Sequence, residues 1–472
     1  METKKRNNLL VSLAAFMLLS CLVFLAFSSV SSRLSGLSGK ILGHKGEKSS
    51  GPIRFKTNLN NRFYYDNNQV YLHINLNADK VVLSQERTPL NISIVIDRSG
   101  SMDDRNKLTY VKKAVEHVID NLNEGDYVSI VSYNDDVTVL QETIPVGSKY
   151  DLKEKINKLK ASGFTNLSGG MFEGFNQVNK SFKRGYVNRV LLLSDGLANR
   201  GLTDRYKLAA KVRELNRDEG IVVSTFGVGN DFNEDLMTDI AEYGRGNYYY
   251  IKDSEQIPDI FAQELNGVRT LVGQNTKVTV KFPSRNLILK RVYGYPYDSE
   301  NGTVTIDFKD MFSGQVKSVL LKFDIVRPLS PGVEFENELT YEDVTNNFRF
   351  VRETEYCRLN TAVDRAEYDK GFDESVQQNV AMFETNDLME QALQEADKGN
   401  YTKAKDYIET GRQYMNDQMG SIQASPEMKR QLEGIEKYKK DLDNVESKSE
   451  EEKKEMQKSG KYENYNTRKN NQ

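Results

Sequence analysis

Two carboxylates and three hydroxyls stand where apolar runs of this chain break off. In ISIVIDRSGSMDD a β-branched run stops at Asp97, and Ser99 and Ser101 follow at intervals of two, a spacing from which a curled backbone can aim all three side chains at one point. In ASGFTNLSGG, Thr165 lies among glycines just ahead of a helical pattern, and in LLLSDGLAN, Asp195 ends another apolar run. Singly, each reads as a turn or cap residue, and Asp-Gly at Asp195 is a common turn signal. Together they form an all-oxygen set without sulfur or imidazole, which suits a hard divalent ion, Mg²⁺ or Mn²⁺, with Ca²⁺ as a further candidate. The residues His44, His73 and His117 are not spaced with one another or with a cysteine as a zinc site requires. No histidine, lysine or cysteine is visibly attached to the set as acid, base or nucleophile, which favours binding over catalysis.

Such a set needs several strand ends to converge. Strands are expected at Ile92 to Ile96, Tyr127 to Ser132, Val190 to Leu193 and Val222 to Val228, with weaker ones near Val137 to Glu142 and Tyr248 to Ile251. Helical patterns fall between them: Val111, Ala114, Val115, Val118, Ile119 and Leu122 recur at helical spacing, and DRYKLAAKVRELNRDEG ends at a glycine placed as a C-cap. This alternation implies a doubly wound, mostly parallel sheet with helices on both faces, which binds ligands at the carboxyl ends of its central strands. Asp103 and Asp104 read as acids favouring the positive end of the following helix rather than as a second ion site. GVGND at Gly227 is too poor in glycine for a dinucleotide loop, and Tyr248, Tyr249 and Tyr250 read as the sheet's last strand.

DRSGS, GFTN and LLLSDG, in that order, resemble the metal-ion-dependent adhesion site of a von Willebrand factor type A domain, and the likeness runs over about Asn91 to Leu265. The resemblance implies that Ser99, Ser101 and Thr165 bind the metal directly for part of the cycle, with Asp97 and Asp195 acting directly or through water. It also implies that an acidic side chain of a protein partner, Asp or Glu, completes the ion's shell. The whole chain is similar to secreted or membrane-anchored bacterial members, envelope proteins with strands before and after the metal domain. The two aspartates of SMDDRNKL depart from relatives that have a glycine soon after the serine pair.

At 472 residues the chain is long enough for two or three units, and its net charge of −3, with lysines and glutamates interspersed, makes no case for nucleic-acid binding. Lys4, Lys5 and Arg6 before the apolar run Leu9 to Phe27 read as a cleaved signal or a retained membrane anchor over residues 1–30, which places the chain beyond about Ser28 outside the cytoplasm. LLSC at Cys21 faintly resembles a lipoprotein box, but the apolar run continues past it. Only Cys357 remains beyond it, so packed cores rather than disulfides are expected to hold the exported part together.

After a linker at 31–52, alternating strands at 53–90 have no partners within the α/β unit, 91–267; nor do those at 268–350. Pairing the two sets gives a β-sandwich with the metal domain inserted in its sequence. From about Glu353 a helical period is expected, beginning with a helix around Thr354 to Arg365. NDLMEQALQEADKGNYTKAKDYIETGRQYM resembles one tetratricopeptide hairpin, within a small bundle over 353–445. The charged residues 446–472 read as a disordered tail. The reading is thus an extracytoplasmic, metal-dependent protein-binding protein for adhesion or complex assembly, not an enzyme. The alternatives are a metal-dependent hydrolase, or a scaffold that uses the helical hairpin while the metal is purely structural.

Overall fold

A computed structural model describes residues 51–81, 88–196, 198–266, 270–326 and 332–469. The basic-apolar N-terminal segment and nearly all of the linker lie outside the described residues. Among the described residues no helix is long and apolar enough to cross a membrane.

The chain enters through β1 (Ile53–Leu59), the short β2 (Phe63–Tyr64) and β3 (Gln69–Ala78). Strict alternation in β1 buries Ile53, Phe55, Thr57 and Leu59 and exposes the residues between them, as a strand with one covered face requires. β4 (Leu90–Asp97) comes next, buried at all eight positions. From it an α/β unit is built: α1 (Lys107–Asp120), β5 (Tyr127–Tyr133), β6 (Val137–Pro145), α2 (Lys149–Asn157), α3 (Leu167–Lys180) and β7 (Val187–Ser194), then α4 (Arg205–Glu219), β8 (Val222–Val228), α5 (Glu234–Tyr243), β9 (Arg245–Ile251) and α6 (Ile257–Asn266). The sheet order is β6-β5-β4-β7-β8-β9, parallel except for the edge strand β6. Ile92, Ile94 and Ile96 of β4 pack in the core beneath α1, α2 and α6, while Val95 faces the core beneath α3, α4 and α5. Because β4 is flanked by β5 and β7, the chain leaves it in opposite directions, and a crevice opens at its carboxyl end.

The second set of strands is β10 (Leu271–Lys281), β11 (Leu287–Tyr293), β12 (Tyr297–Glu300), β13 (Thr303–Phe312), β14 (Val316–Ile325), β15 (Val333–Asp343) and β16 (Arg349–Thr361). Both sheets of the sandwich mix strands from before and after the insertion, in the orders β1-β3-β14-β11 and β12-β13-β10-β15-β16-β2. β3 pairs along its length with β14, Ile74 opposite Val319, and their inner faces share a core with Val278, Ile306, Phe335 and Leu339 of the other sheet.

Two expectations fail here. The helix expected around Thr354 to Arg365 is instead strand β16, paired with β15 from Asp343↔Arg349 to Val333↔Leu359, followed by the short helix α7 (Arg365–Lys370). Burial of Val351, Cys357 and Leu359 against the sandwich core and a full ladder outweigh a weak local preference.

The remainder is helical: α8 (Glu374–Asp397), α9 (Tyr401–Ser421), α10 (Pro426–Asp443) and α11 (Glu450–Lys469). The second failure is the tail, since α11 occupies most of the stretch expected to be disordered. Its charges find partners on the α/β unit, Lys454 with Asp231 at 2.7 Å and Lys252 with Glu455 at 2.5 Å, and it buries Met456 and Tyr465. Composition alone counts those groups as solvent-facing.

Candidate functional site

Asp97 closes β4 with its side chain fully buried. One carboxylate oxygen accepts the Ser99 backbone N–H at 2.9 Å, and the other accepts the Ser194 hydroxyl at 2.6 Å and the Tyr133 hydroxyl at 3.2 Å. Donors from β5 and β7 on either side therefore fix its orientation. Burial above all, and then the neighbouring Asp195, push the Asp97 carboxyl up to about 6. The Ser99 and Ser101 hydroxyls lie 3.2 Å apart at the head of a short turn. That turn ends with Arg105 and Asn106 at φ 50° and 61°, and α1 begins at Lys107. Asp103 and Asp104 are exposed on it.

The loop carrying Thr165 is fastened to both other loops. Gly163 O accepts Gly100 N–H at 3.0 Å, Thr165 N–H donates to Asn199 Oδ1 at 2.8 Å, and Thr165 O accepts the N–H groups of Asn199 and Arg200, each at 3.1 Å. Thr165 is 2% exposed. The three segments singled out in the sequence thus meet at one end of the sheet. Phe164 is exposed at the rim beneath the Arg200 guanidinium, 4.5 Å above its ring, and the Phe164 N–H donates to Asp135.

Asp195 carries a feature that the sequence reading missed. Lys107 Nζ lies 3.1 Å from its Oδ2, and both side chains are buried. The sequence reading saw no lysine attached to the set as acid, base or nucleophile, and it overlooked Lys107, which is attached as the counter-charge of Asp195. The signal was present: Lys107 precedes Val111, Ala114 and Val118 at helical spacing, a charge on the face of α1 that is otherwise apolar. Asp195 Oδ1 is buried with no hydrogen-bond partner. A carboxylate oxygen left unpaired in the interior is costly unless something electropositive meets it. Lying at the sheet end where the paired serine hydroxyls and Asp97 converge, it fits a divalent ion that prefers oxygen. Among the described residues no three His, Cys, Asp or Glu side chains cluster as a metal site; the oxygens gathered here come from two carboxylates and from hydroxyls.

Two further elements bear on the site. Gly229, at φ 77°, comes after β8 and lies over the Lys107 stem, where a Cβ would come within 2.9 Å of Lys107 Cε. Next to it, Asn230 donates to Glu451 of α11 at 2.7 Å, and the same Glu451 binds Arg105 of the turn that carries Ser99 and Ser101. The expected β9 tyrosines are buried: Tyr248 donates to Glu234 at 3.1 Å, Tyr249 to Glu264 at 2.9 Å, and Tyr250 to Asn230. His117 is half-buried on α1, outside the site.

Residues 91–263 match the family model of the von Willebrand factor type A domain. The uncharacterized protein YfbK of Escherichia coli (strain K12) is 32% identical over 213 residues, 45% of this chain and 37% of that protein, so the match spans well under half of that relative's length. Among solved structures, the fold is similar to a von Willebrand factor type A protein from Catenulispora acidiphila, with a TM-score of 0.65 at 16% identity over 86% of this chain and 92% of that one. It is also similar to the ArnB paralog VWA2 from Sulfolobus acidocaldarius, with a TM-score of 0.57 at 18% identity over 87% and 98%. These likenesses reach well beyond residues 91–263, so the sandwich and helices belong to a shared architecture.

Proposed function

We propose that this chain, a von Willebrand factor type A domain set in a β-sandwich and backed by helices, is a protein-binding component outside the cytoplasmic membrane, serving adhesion or complex assembly. Its metal-ion-dependent adhesion site holds Mg²⁺ or Mn²⁺ through Ser99, Ser101 and Thr165, with Asp97 and Asp195 acting directly or through water. The observation that carries this reading is Asp195 Oδ1, buried and unpartnered in a cluster of hydroxyl and carboxylate oxygens.

When bound, the ion supplies an open coordination position that an Asp or Glu of a partner protein completes. The rest falls to the chain's own residues. Tyr133 and Ser194 hold Asp97 in one orientation. The Asn199 side chain and the Gly100–Gly163 bond keep the Thr165 loop against the metal loop. Phe164 and Arg200 offer an aromatic and cationic rim of the kind that protein interfaces favour. Binding rather than hydrolysis is inferred because the lysine at the site is committed to Asp195, and His73 and His117 lie elsewhere. The basic residues before Leu9 to Phe27 support placement outside the cytoplasm.

Titration calorimetry of the full chain with Mn²⁺ tests the ion, and capture of partners from an envelope extract in Mg²⁺ and then in EDTA tests the recognition. The reading predicts Mn²⁺ binding, and captured protein that EDTA releases. Absence of divalent binding, or capture indifferent to EDTA, would refute it.

A further inference from the structure

Lys107 is an unusual group to find at a cation site. Lysine is almost never fully buried unless paired, and a buried pair tolerates the loss of either partner poorly. Here the side chain is 2% exposed, its Nζ lies 3.1 Å from Asp195 Oδ2, and the Gly229 backbone covers its stem. The lysine takes one oxygen of Asp195 and leaves the other, Oδ1, unpartnered. It therefore neutralises the ligand set in part without occupying all of it.

Formal charges show the consequence. Asp97 and Asp195 contribute −2 and Lys107 contributes +1, so the protein's own groups carry −1. A divalent ion brings the total to +1. Two carboxylates without the lysine would reach zero with the same ion and would have no net charge with which to prefer an anion. We infer that Lys107 is a specificity-determining residue, a tethered cation that would weaken divalent binding and leave the loaded site with a positive charge that selects a carboxylate over a neutral ligand. This rests on the reading of the site as a divalent-ion centre.

The test uses the full chain and the variants Lys107→Met and Lys107→Gln, the latter retaining a polar head. In calorimetry with Mn²⁺ alone, both variants should bind about tenfold or more tighter than the parent, since one charge has been removed within a few ångströms of the ion. Paramagnetic relaxation of the Mn²⁺-loaded proteins, titrated with acetate and with acetamide, should show a preference for acetate in the parent that shrinks in both variants. Without metal both variants should melt earlier than the parent, because Asp195 has lost its counter-charge, and Mn²⁺ should restore them.

Variants that fold yet bind Mn²⁺ no tighter, or that keep the full acetate preference, would overturn the inference. Variants that stay unfolded with and without Mn²⁺ would also overturn it, leaving Lys107 a purely structural role. A parent that binds no Mn²⁺ would remove the proposed function as well, whereas a parent that binds and variants that match it would remove only this inference.

Discussion

Helix α11 covers the edge of the α/β unit's sheet, and Tyr465 ties it to the edge strand. β9 is the last strand of the sheet, and an edge strand presents unpaired N–H groups. The Tyr465 hydroxyl accepts the Tyr248 N–H at 3.1 Å, and its ring, 4% exposed, stands edge-on to Tyr248 with centroids 5.5 Å apart at 86°. Tyr465→Ala removes a buried ring, at about 3–5 kcal/mol. It also leaves the Tyr248 amide without its acceptor, at a further ~1–3 kcal/mol. Exposed ion pairs such as Lys454–Asp231 contribute only ~0–1 kcal/mol each, so the loss weakens the hold of α11 on β9, although Tyr462 against Tyr248, the Arg468–Glu242 pair and Met456 in the helical core still tie the helix down. In hydrogen exchange, Tyr465→Ala should free the Tyr248 amide and speed exchange in residues 450–469 while β4 stays protected, and limited proteolysis should cut within 450–469 sooner than in the parent. Tyr465→Phe keeps the ring and should deprotect the Tyr248 amide while the helix remains. Free exchange of 450–469 in the parent, or an unchanged Tyr248 amide in Tyr465→Ala, would refute the docking.

Other substitutions probe the site and the sandwich. Asp97→Ala should abolish most Mg²⁺ binding in calorimetry and, by orphaning the Ser194 and Tyr133 hydroxyls, cost about 1–3 kcal/mol of stability; Thr165→Ala should keep the fold and much of the ion affinity yet weaken partner capture. Gly229→Ala forces a left-handed φ on a side chain, at about 1–2 kcal/mol, and presses on Lys107 Cε, so Mn²⁺ affinity should shift in the same direction as in Lys107→Met; lost stability with unchanged affinity would count against it. Burial holds the His73 imidazole, 2.6 Å from Ser318 Oγ, down at about 4 against an ordinary 6.5. The unfolded chain takes up this proton first, so stability is full above pH 6.5 and falls by about 3 kcal/mol as pH drops to 4. Urea denaturation should show that extra loss in the parent and not in His73→Gln.

Much of the fold was legible because burial on both faces forces near-continuous apolar runs. The expected strands at Ile92, Tyr127, Val190 and Val222 lie within β4, β5, β7 and β8, and the alternation of residues 53–78 marked strands that needed partners elsewhere. The convergence of Asp97 and Asp195 was legible for a related reason, since both end apolar strands that are neighbours in one parallel sheet; Thr165 lies between α2 and α3, and its place beside them was legible only through the resemblance. Lys107 was missed because charge on a helix is ordinarily read as solvent-facing, although its register with Val111, Ala114 and Val118 said otherwise. β16 was missed because RFVRETEYCRLNT buries only Val351, Cys357 and Leu359, and the ladder with β15 that makes it a strand is a tertiary fact. The tail failed differently. Its lysines and glutamates have partners far away in sequence, such as Asp231 for Lys454, and composition cannot distinguish a solvated charge from a paired one.

Two of the missed features, Lys107 and α11, meet beside the site. Lys107 holds Asp195, Gly229 lies over Lys107, and the neighbouring Asn230 and Asp231 are held by Glu451 and Lys454 of α11. Glu451 also binds Arg105, two residues before Lys107 and four after Ser101. The helix therefore grips the chain on both sides of the buried lysine without touching a candidate ligand. Further contacts fall on the same surface: Lys458 donates to Phe232 O at 2.8 Å, and Lys458 and Lys461 approach Glu234, whose carboxyl burial pushes up to about 7 even against these two cations, while the helix's other side packs on α8 and α10 through Met456 and Asn464. Without the helix, Glu234 would lose both counter-charges and gain water, Tyr248 would lose its acceptor, and the loop over Lys107 would lose two of its ties. The twenty residues of α11 thus bridge the α/β unit and the helices α8 and α10, although more than 180 residues separate them from the α/β unit's last helix.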